Sequence, residues 1–204
     1  MTTHRKLLGA VALGFSLMVT ASLSAQIQAG LLGKRTVGLS GFAEDIRTAG
    51  IGNGSGALLG VNLPLGSNFD FGFSGSYESI PTNSFNEKQL FASLTAYQEL
   101  DSFKPFVDAS LGNDWQASTV GGFQYSDNKS IYAIGAGAEA PISDTTALVG
   151  RFGYNKYFDS KLGHYWTYSF GINHWMTEQV AGVASVTFRG SDSVIYTVGL
   201  VVRF

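Results

Sequence analysis

In the C-terminal stretch, Val194, Tyr196, Val198, Leu200, Val202 and Phe204 stand at every second position and form one apolar face. The segment Phe69 to Glu78 repeats the pattern. One of its faces reads Phe69, Phe71, Phe73, Gly75, Tyr77, and the other reads Asp70, Gly72, Ser74, Ser76, Glu78. Apolar residues at period 2 mark a strand with one apolar and one polar face, because successive side chains point to opposite sides. No helical period competes with this signal. It leads to an all-β chain.

Ten such segments follow one another, at about 34–44, 55–63, 69–79, 88–98, 104–113, 130–140, 145–155, 164–175, 179–189 and 193–204. The links between them differ in kind. Pro64 to Asn68, Glu99 to Phe103, Pro141 to Asp144 and Met176 to Glu178 read as tight turns. Asp45 to Gly54, Ile80 to Glu87, Asp114 to Lys129 and Lys156 to Gly163 are longer and polar. The last link, Gly190 to Asp192, is short and breaks this alternation. Long links alternating with short ones gather the loops at one end and the turns at the other. An even strand count also brings both chain ends to the turn end.

Composition decides which surface the apolar faces meet. Charged residues are 14% of the chain, against about 25% in ordinary soluble domains. A soluble lipocalin-type barrel points its apolar faces inward and charges its outside, and this chain has too few charges for ten strands. No run of 18 or more apolar residues follows Ala25, so membrane-spanning helices are excluded. Strands of about 9–11 residues do cross a bilayer when tilted. Lipid offers no hydrogen-bond partner, so strands cross it only as a closed ring. The expected fold is therefore a single closed antiparallel transmembrane β-barrel over 26–204, with ten strands, or eight if two segments are loops. The formal charge of −2 gives no basic footprint for nucleic acid, and the lack of Cys excludes disulfides and thiolate metal sites.

Residues 1–25 read as a cleaved signal peptide. His4, Arg5 and Lys6 open it, Leu7 to Val19 is apolar but for Ser16, and Ala21, Ser22, Ser24 and Ala25 close it. Cleavage is expected after Ala25, or after Ser24 as the alternative. It removes Arg5 and Lys6 from the 13 basic residues and none of the 15 acids, leaving a net charge of −4. The export signal and the barrel together predict the bacterial outer membrane.

Alternation assigns the faces. Lipid-facing residues are expected to include Leu39, Leu59, Phe69, Phe71, Phe73, Leu90, Leu94, Val107, Leu111, Trp166, Phe170 and Val198. Tyr97, Trp115, Tyr165, Trp175 and Phe204 lie near strand ends and are expected in the aromatic girdles. The lumen is expected to hold Ser40, Asn62, Ser74, Ser93, Thr95, Ser110, Asn155, Ser169, Asn173 and Thr187. Its charges are Asp70, Asp108, Glu139, Arg151, Arg189 and Arg203. Charges in a narrow lumen are costly unless paired, so these six are expected to form a filling ion-pair network. Gly38, Gly60, Gly72, Gly135, Gly137, Gly153, Gly171 and Gly199 share that face. They either relieve strand curvature or leave room for a thin water path with charged walls.

Four stretches resemble a known family. Lys104-Pro105-Phe106-Val107-Asp108-Ala109-Ser110-Leu111-Gly112 is similar to a strand of the bacterial outer-membrane protein β-barrel family, which includes small OmpA-like and porin-family barrels. Gly135 to Asp144 and Arg151-Phe152-Gly153-Tyr154 resemble a strand, a turn and the next strand of that family. Its C-terminal assembly signal, read by the barrel insertion machinery, resembles Tyr196, Val198, Leu200, Val202 and Phe204. The resemblance implies architecture rather than chemistry. Its members commonly have eight strands, and the extra hairpin here lies around 164–189.

The sequence holds no catalytic pattern. His164 and His174 are the histidines left after cleavage, and Trp166 stands where a lipid-A deacylase pattern places Ser. The Gly-rich stretch Gly50 to Gly56 is followed by no Lys-Ser/Thr pair. No enzyme activity, cofactor or metal is expected. The reading is a small outer-membrane barrel, structural or surface-interacting. A narrow porin-like channel is the alternative, and an adhesin acting through loops such as Asp114 to Lys129 is a third. Expected partners are outer-membrane lipids, lipopolysaccharide, periplasmic chaperones and the assembly machinery, with a monomer favoured.

Overall fold

Strands β1 (Thr36–Ile46), β2 (Gly54–Pro64), β3 (Phe69–Ile80), β4 (Phe85–Tyr97), β5 (Lys104–Val120), β6 (Phe123–Pro141), β7 (Thr146–Tyr157), β8 (His164–Trp175), β9 (Val180–Arg189) and β10 (Ser193–Arg203) each pair antiparallel with the next. β10 returns to β1, so ten strands close the barrel and the eight-strand alternative falls. The computed structural model describes residues 30–47, 52–100, 102–120, 123–159, 163–190 and 192–204. The signal peptide expected over 1–25 lies outside the described residues.

The seam between β1 and β10 runs from Thr36↔Arg203 to Ile46↔Ser193. A closed ring leaves no unpaired strand edge, which is what lipid demands. The Phe204 amide bonds the Arg35 carbonyl at 3.2 Å, so both ends of the barrel chain meet at the turn end.

The wall follows the alternation. Leu39, Phe73, Phe170 and Val198 are 51–68% exposed on the outside. In water this belt would be an aggregation surface, whereas in lipid it needs no cover. Phe152 stacks on Trp166 with ring centres 4.8 Å apart, on the same face. Inward, Ser40, Asn62, Ser74, Thr95, Ser169 and Thr187 are buried. This polar-in, apolar-out arrangement is that of a transmembrane barrel.

Three aromatics depart from expectation. Tyr97, Trp175 and Tyr165 were expected in the girdles, and all three point into the barrel. Each has the parity of lumenal neighbours: Tyr97 with Thr95, Trp175 with Asn173, Tyr165 with Thr167. Tyr97 packs on Leu32, Phe106 and Val149. The Lys34 ammonium lies 4.4 Å from the Trp175 ring centre, and the Arg189 guanidinium 4.6 Å from that of Tyr165.

The loop expected at Asp114 to Lys129 is also different. β5 and β6 continue into it as a tall hairpin, paired from Asp114↔Lys129 to Val120↔Phe123. β6 meets β7 only from Ile131↔Tyr157 onward, and β4 leaves β5 at Asn86↔Ala117. The tip of this hairpin therefore stands clear of the ring. Tyr125 on it is exposed.

Candidate functional site: the lumen

From the turn end upward, the lumen is stacked in tiers. At its mouth sits a turn that precedes β1. Leu31 and Leu32 are 0% and 2% exposed, although they lie outside every strand. Leu31 packs on Val183 and Val201, and Leu32 on Tyr97, Phe106 and Val149. The Lys34 amide donates to the Leu31 carbonyl at 3.0 Å, and its ammonium to the Gly30 carbonyl at 2.8 Å. Gly30 and Gly33 have φ of +65° and +80°, in the left-handed region that favours glycine.

The barrel grips this turn by its backbone. Asp70 Oδ2 accepts from the Gly33 amide at 2.9 Å and from Asn62 Nδ2 at 2.9 Å. The same Asn62 nitrogen donates to the Lys34 carbonyl at 3.1 Å. The Glu139 carboxylate accepts from the amides of Gly30 and Leu31. Burial pulls the Lys34 ammonium below its usual range, against the attraction of Glu139. Asp70 and Glu139, expected in an ion-pair network, instead hold a plug. The plug had no sequence signal, because Leu31-Leu32 shows no period.

Above the plug, Arg151 meets Asp108. Nε donates to Oδ2 at 2.8 Å and Nη2 to Oδ1 at 2.6 Å, with both side chains 0% exposed. A bidentate, charge-assisted pair is the strongest form of this interaction. Arg151 is on β7 and Asp108 on β5, so the arginine reaches across β6. Gly135 makes this reach possible: a Cβ there would lie 2.4 Å from Arg151 Nη2. A Cβ on Gly153 would lie 2.5 Å from Nη1. Phe106 covers Gly137 and Phe91 covers Gly112 in the same way. At these positions the glycines are seats for large side chains, not empty space for water.

The next tier is apolar. Phe42, Leu58, Phe91, Ile131, Tyr157 and Ile195 form one buried cluster, and they come from β1, β2, β4, β6, β7 and β10. Side chains converging from around the ring make a disc across the lumen. Three of them lie on one register line: Phe91↔Gly112 and Gly112↔Ile131 lead to Ile131↔Tyr157.

Above the disc the lumen is acidic. Glu78 and Glu87 are direct cross-strand partners, both pointing in. Glu44 and Asp114 are buried in the same tier. Amides donate to the carboxyl groups, Gln89 Nε2 to Glu87 Oε1 at 2.7 Å and Gln116 Nε2 to Asp114 Oδ2 at 2.7 Å, while Glu78 hydrogen-bonds Glu44 and Glu87 hydrogen-bonds Asp114. Lys129 Nζ donates to Gln116 Oε1 at 3.0 Å and pairs with Asp127 at 3.2 Å. Arg189 faces Glu44. Arg189 thus acts on three of the four buried acids, Glu44, Glu78 and Glu87. Ile46, Ile80 and Phe85 cap the tier.

The six charges expected to form one network are therefore spread over separate tiers. Only Asp108 and Arg151 pair with each other. Arg203 is a correction: it keeps the inward parity of β10, opposite Thr36, but is exposed at the turn-end rim. Sequence reasoning missed Glu44, Glu87 and Asp114, the last two because their segments read as loops. Glu78 had already been placed on the polar face of its strand. His164 and His174 begin and nearly end β8 on the outer face, where His174 Nδ1 meets Thr146 Oγ1 at 2.9 Å. Among the described residues no group of three acidic or His side chains is placed to hold a metal ion.

No protein-family model matches the sequence, and no curated protein matches it. Solved structures do. The translocator domain of the autotransporter NalP from Neisseria meningitidis is similar, with a TM-score of 0.50 at 13% identity, covering 89% of this chain and 93% of that one. The β domain of the Bordetella autotransporter Brka has a TM-score of 0.48 at 12% identity, over 84% and 99% of the two chains. Neisserial surface protein A has a TM-score of 0.45 at 13% identity, over 83% and 96%. At such identities the likeness is one of fold. With its closed ten-strand ring, polar lumen and apolar belt, the chain has the fold of a bacterial outer-membrane β-barrel.

Proposed function

We propose that this protein is a closed outer-membrane scaffold that presents a tall extracellular hairpin, with no catalytic or transport role. The observation that carries the reading is the double obstruction of the lumen. The Gly30 to Lys34 turn stops its mouth, and the disc of Phe42, Leu58, Phe91, Ile131, Tyr157 and Ile195 crosses it higher up. Water finds no hydrogen-bond partner in an apolar constriction, so such a constriction dewets. The turn end faces the periplasm, as short turns do in this fold. The β5–β6 hairpin then faces outward and offers a surface for a partner. On this reading the exposed face of β10, with Tyr196, Val198, Leu200, Val202 and Phe204, is what the assembly machinery engages.

The test is single-channel recording of the folded protein in a planar bilayer. Silence from a barrel that circular dichroism shows to be folded is the expected result. Steady openings altered by Arg151→Ala would overturn the reading in favour of a narrow pore.

A further inference from the structure

The apolar belt is dented over β2, β3 and β4. Ala57↔Tyr77, Tyr77↔Lys88 and Lys88↔Trp115 form one outward row across four strands. The row nearer mid-barrel runs Leu59↔Gly75 and Gly75↔Leu90. Gly75 puts no side chain between those two leucines. The result is a hollow of about 600 Å³ walled by Leu59, Phe73, Tyr77, Leu90 and Trp115, with Lys88 at its upper lip.

On the far side of Lys88 and Trp115 lies a second hollow of about 450 Å³, lined by Asn86, Ser126, Asp127 and Asn128. Its lining adds amide, hydroxyl and carboxylate groups to apolar surface, where the first is almost wholly apolar. Its one carboxylate, Asp127, is answered by the Lys129 ammonium at 3.2 Å. The Tyr77 hydroxyl donates to Asn86 Oδ1 at 2.6 Å and ties the two hollows together. Lys88 is exposed, and among the described residues it makes no ion pair or hydrogen bond.

This groove thus has an apolar half, an unanswered ammonium at the junction, and a mixed half in which amides and a hydroxyl join apolar surface. A bare hydrocarbon chain has no use for the ammonium, and a soluble anion has none for the apolar half. Tyr and Trp at that height sit where headgroups begin. We infer that the groove holds one acyl chain of a phosphorylated glycolipid of the outer leaflet. Its phosphate rests on Lys88, and its sugar amides and hydroxyls face Asn86 and Asn128. The inference rests on the membrane placement proposed above, though not on the closed lumen.

The test uses native mass spectrometry of the protein released from nanodiscs. The discs are neutral phosphatidylcholine alone, or doped with lipid A, or with phosphatidylglycerol. Wild type is expected to retain one lipid A in preference to phosphatidylglycerol. Lys88→Gln, which removes the charge, and Gly75→Leu, which fills the hollow, are each expected to lower that retention roughly tenfold, the order a charge-assisted contact supports. Lys156→Gln, on β7 and away from the groove, is expected to change nothing. Equal retention by wild type and both variants overturns the inference. So does equal retention of phosphatidylglycerol, which would make the groove a general anionic-lipid site, and so does release as a dimer with no lipid. A barrel that fails to enter the discs at all refutes the membrane placement instead.

Discussion

Asp108 and Glu87 are almost equally hidden from solvent, at 5% and 2% exposure, yet they keep opposite company. Asp108 receives a two-point grip from Arg151 across a strand that carries glycine to let the arginine pass. Glu87 faces another carboxyl group, that of Glu78, directly across the sheet, hydrogen-bonds that of Asp114, and takes an amide from Gln89. The middle of the lumen is thus built from complementary charge, while the tier above the apolar disc carries an excess of acidic groups. Burial of polar groups therefore has no single meaning in this barrel. One tier binds the wall through opposite charges, and the other through carboxyl groups that hydrogen-bond one another and neighbouring amides.

Substitutions sharpen this contrast. Asp108→Ala strands the Arg151 guanidinium and is expected to cost about 3–5 kcal/mol in urea unfolding. The double change Asp108→Leu with Arg151→Met is expected to recover most of that loss. A single-variant cost below about 1 kcal/mol would show that the pair holds nothing. Phe71 lies one residue from Asp70, which reaches Asp108 through Asp70↔Thr95 and Thr95↔Asp108, but it points outward. Phe71→Arg is expected to cost about 2–4 kcal/mol, since lipid offers an arginine no partner there. A neutral outcome would put Phe71 at a headgroup level. The smallest effect belongs to the acidic tier. Glu87→Gln replaces one carboxyl of that hydrogen-bonded cluster by an amide of the same shape and is expected to change stability by no more than about 1 kcal/mol. A clear loss would mean that Arg189 depends on that side chain, and the two tiers would then be alike.

How far the sequence could be read follows from lipid itself. Alternation is legible only where one face meets hydrocarbon, so most strand positions from Thr36 to Arg203 could be assigned. Above the membrane both faces of a strand are polar. Gln116-Ala117-Ser118-Thr119 and Gln124-Tyr125-Ser126-Asp127 therefore resemble a loop, although they pair residue by residue. The three misplaced aromatics were legible, because parity with Thr95, Asn173 and Thr167 outweighs nearness to a strand end. The long-range choices inside the lumen were not. That Arg151 would reach Asp108, or that Asp70 would take a backbone amide, depends on which strands face each other across the ring, and no local pattern records that.

The turn at the mouth also bears on the order of assembly. The β1–β10 seam joins the first strand to the last, the longest loop the chain can close, and such contacts are entropically the last to form. Gly30 to Lys34 lie inside the ring that this seam completes. A chain that sealed with these residues outside would have the same strands and the same belt, but Asp70, Glu139 and Trp175 would lose what they hold. Closing the wall and seating this turn are thus separate events, and the observed contacts of Asp70, Glu139 and Trp175 require that the turn be inside when the seam closes.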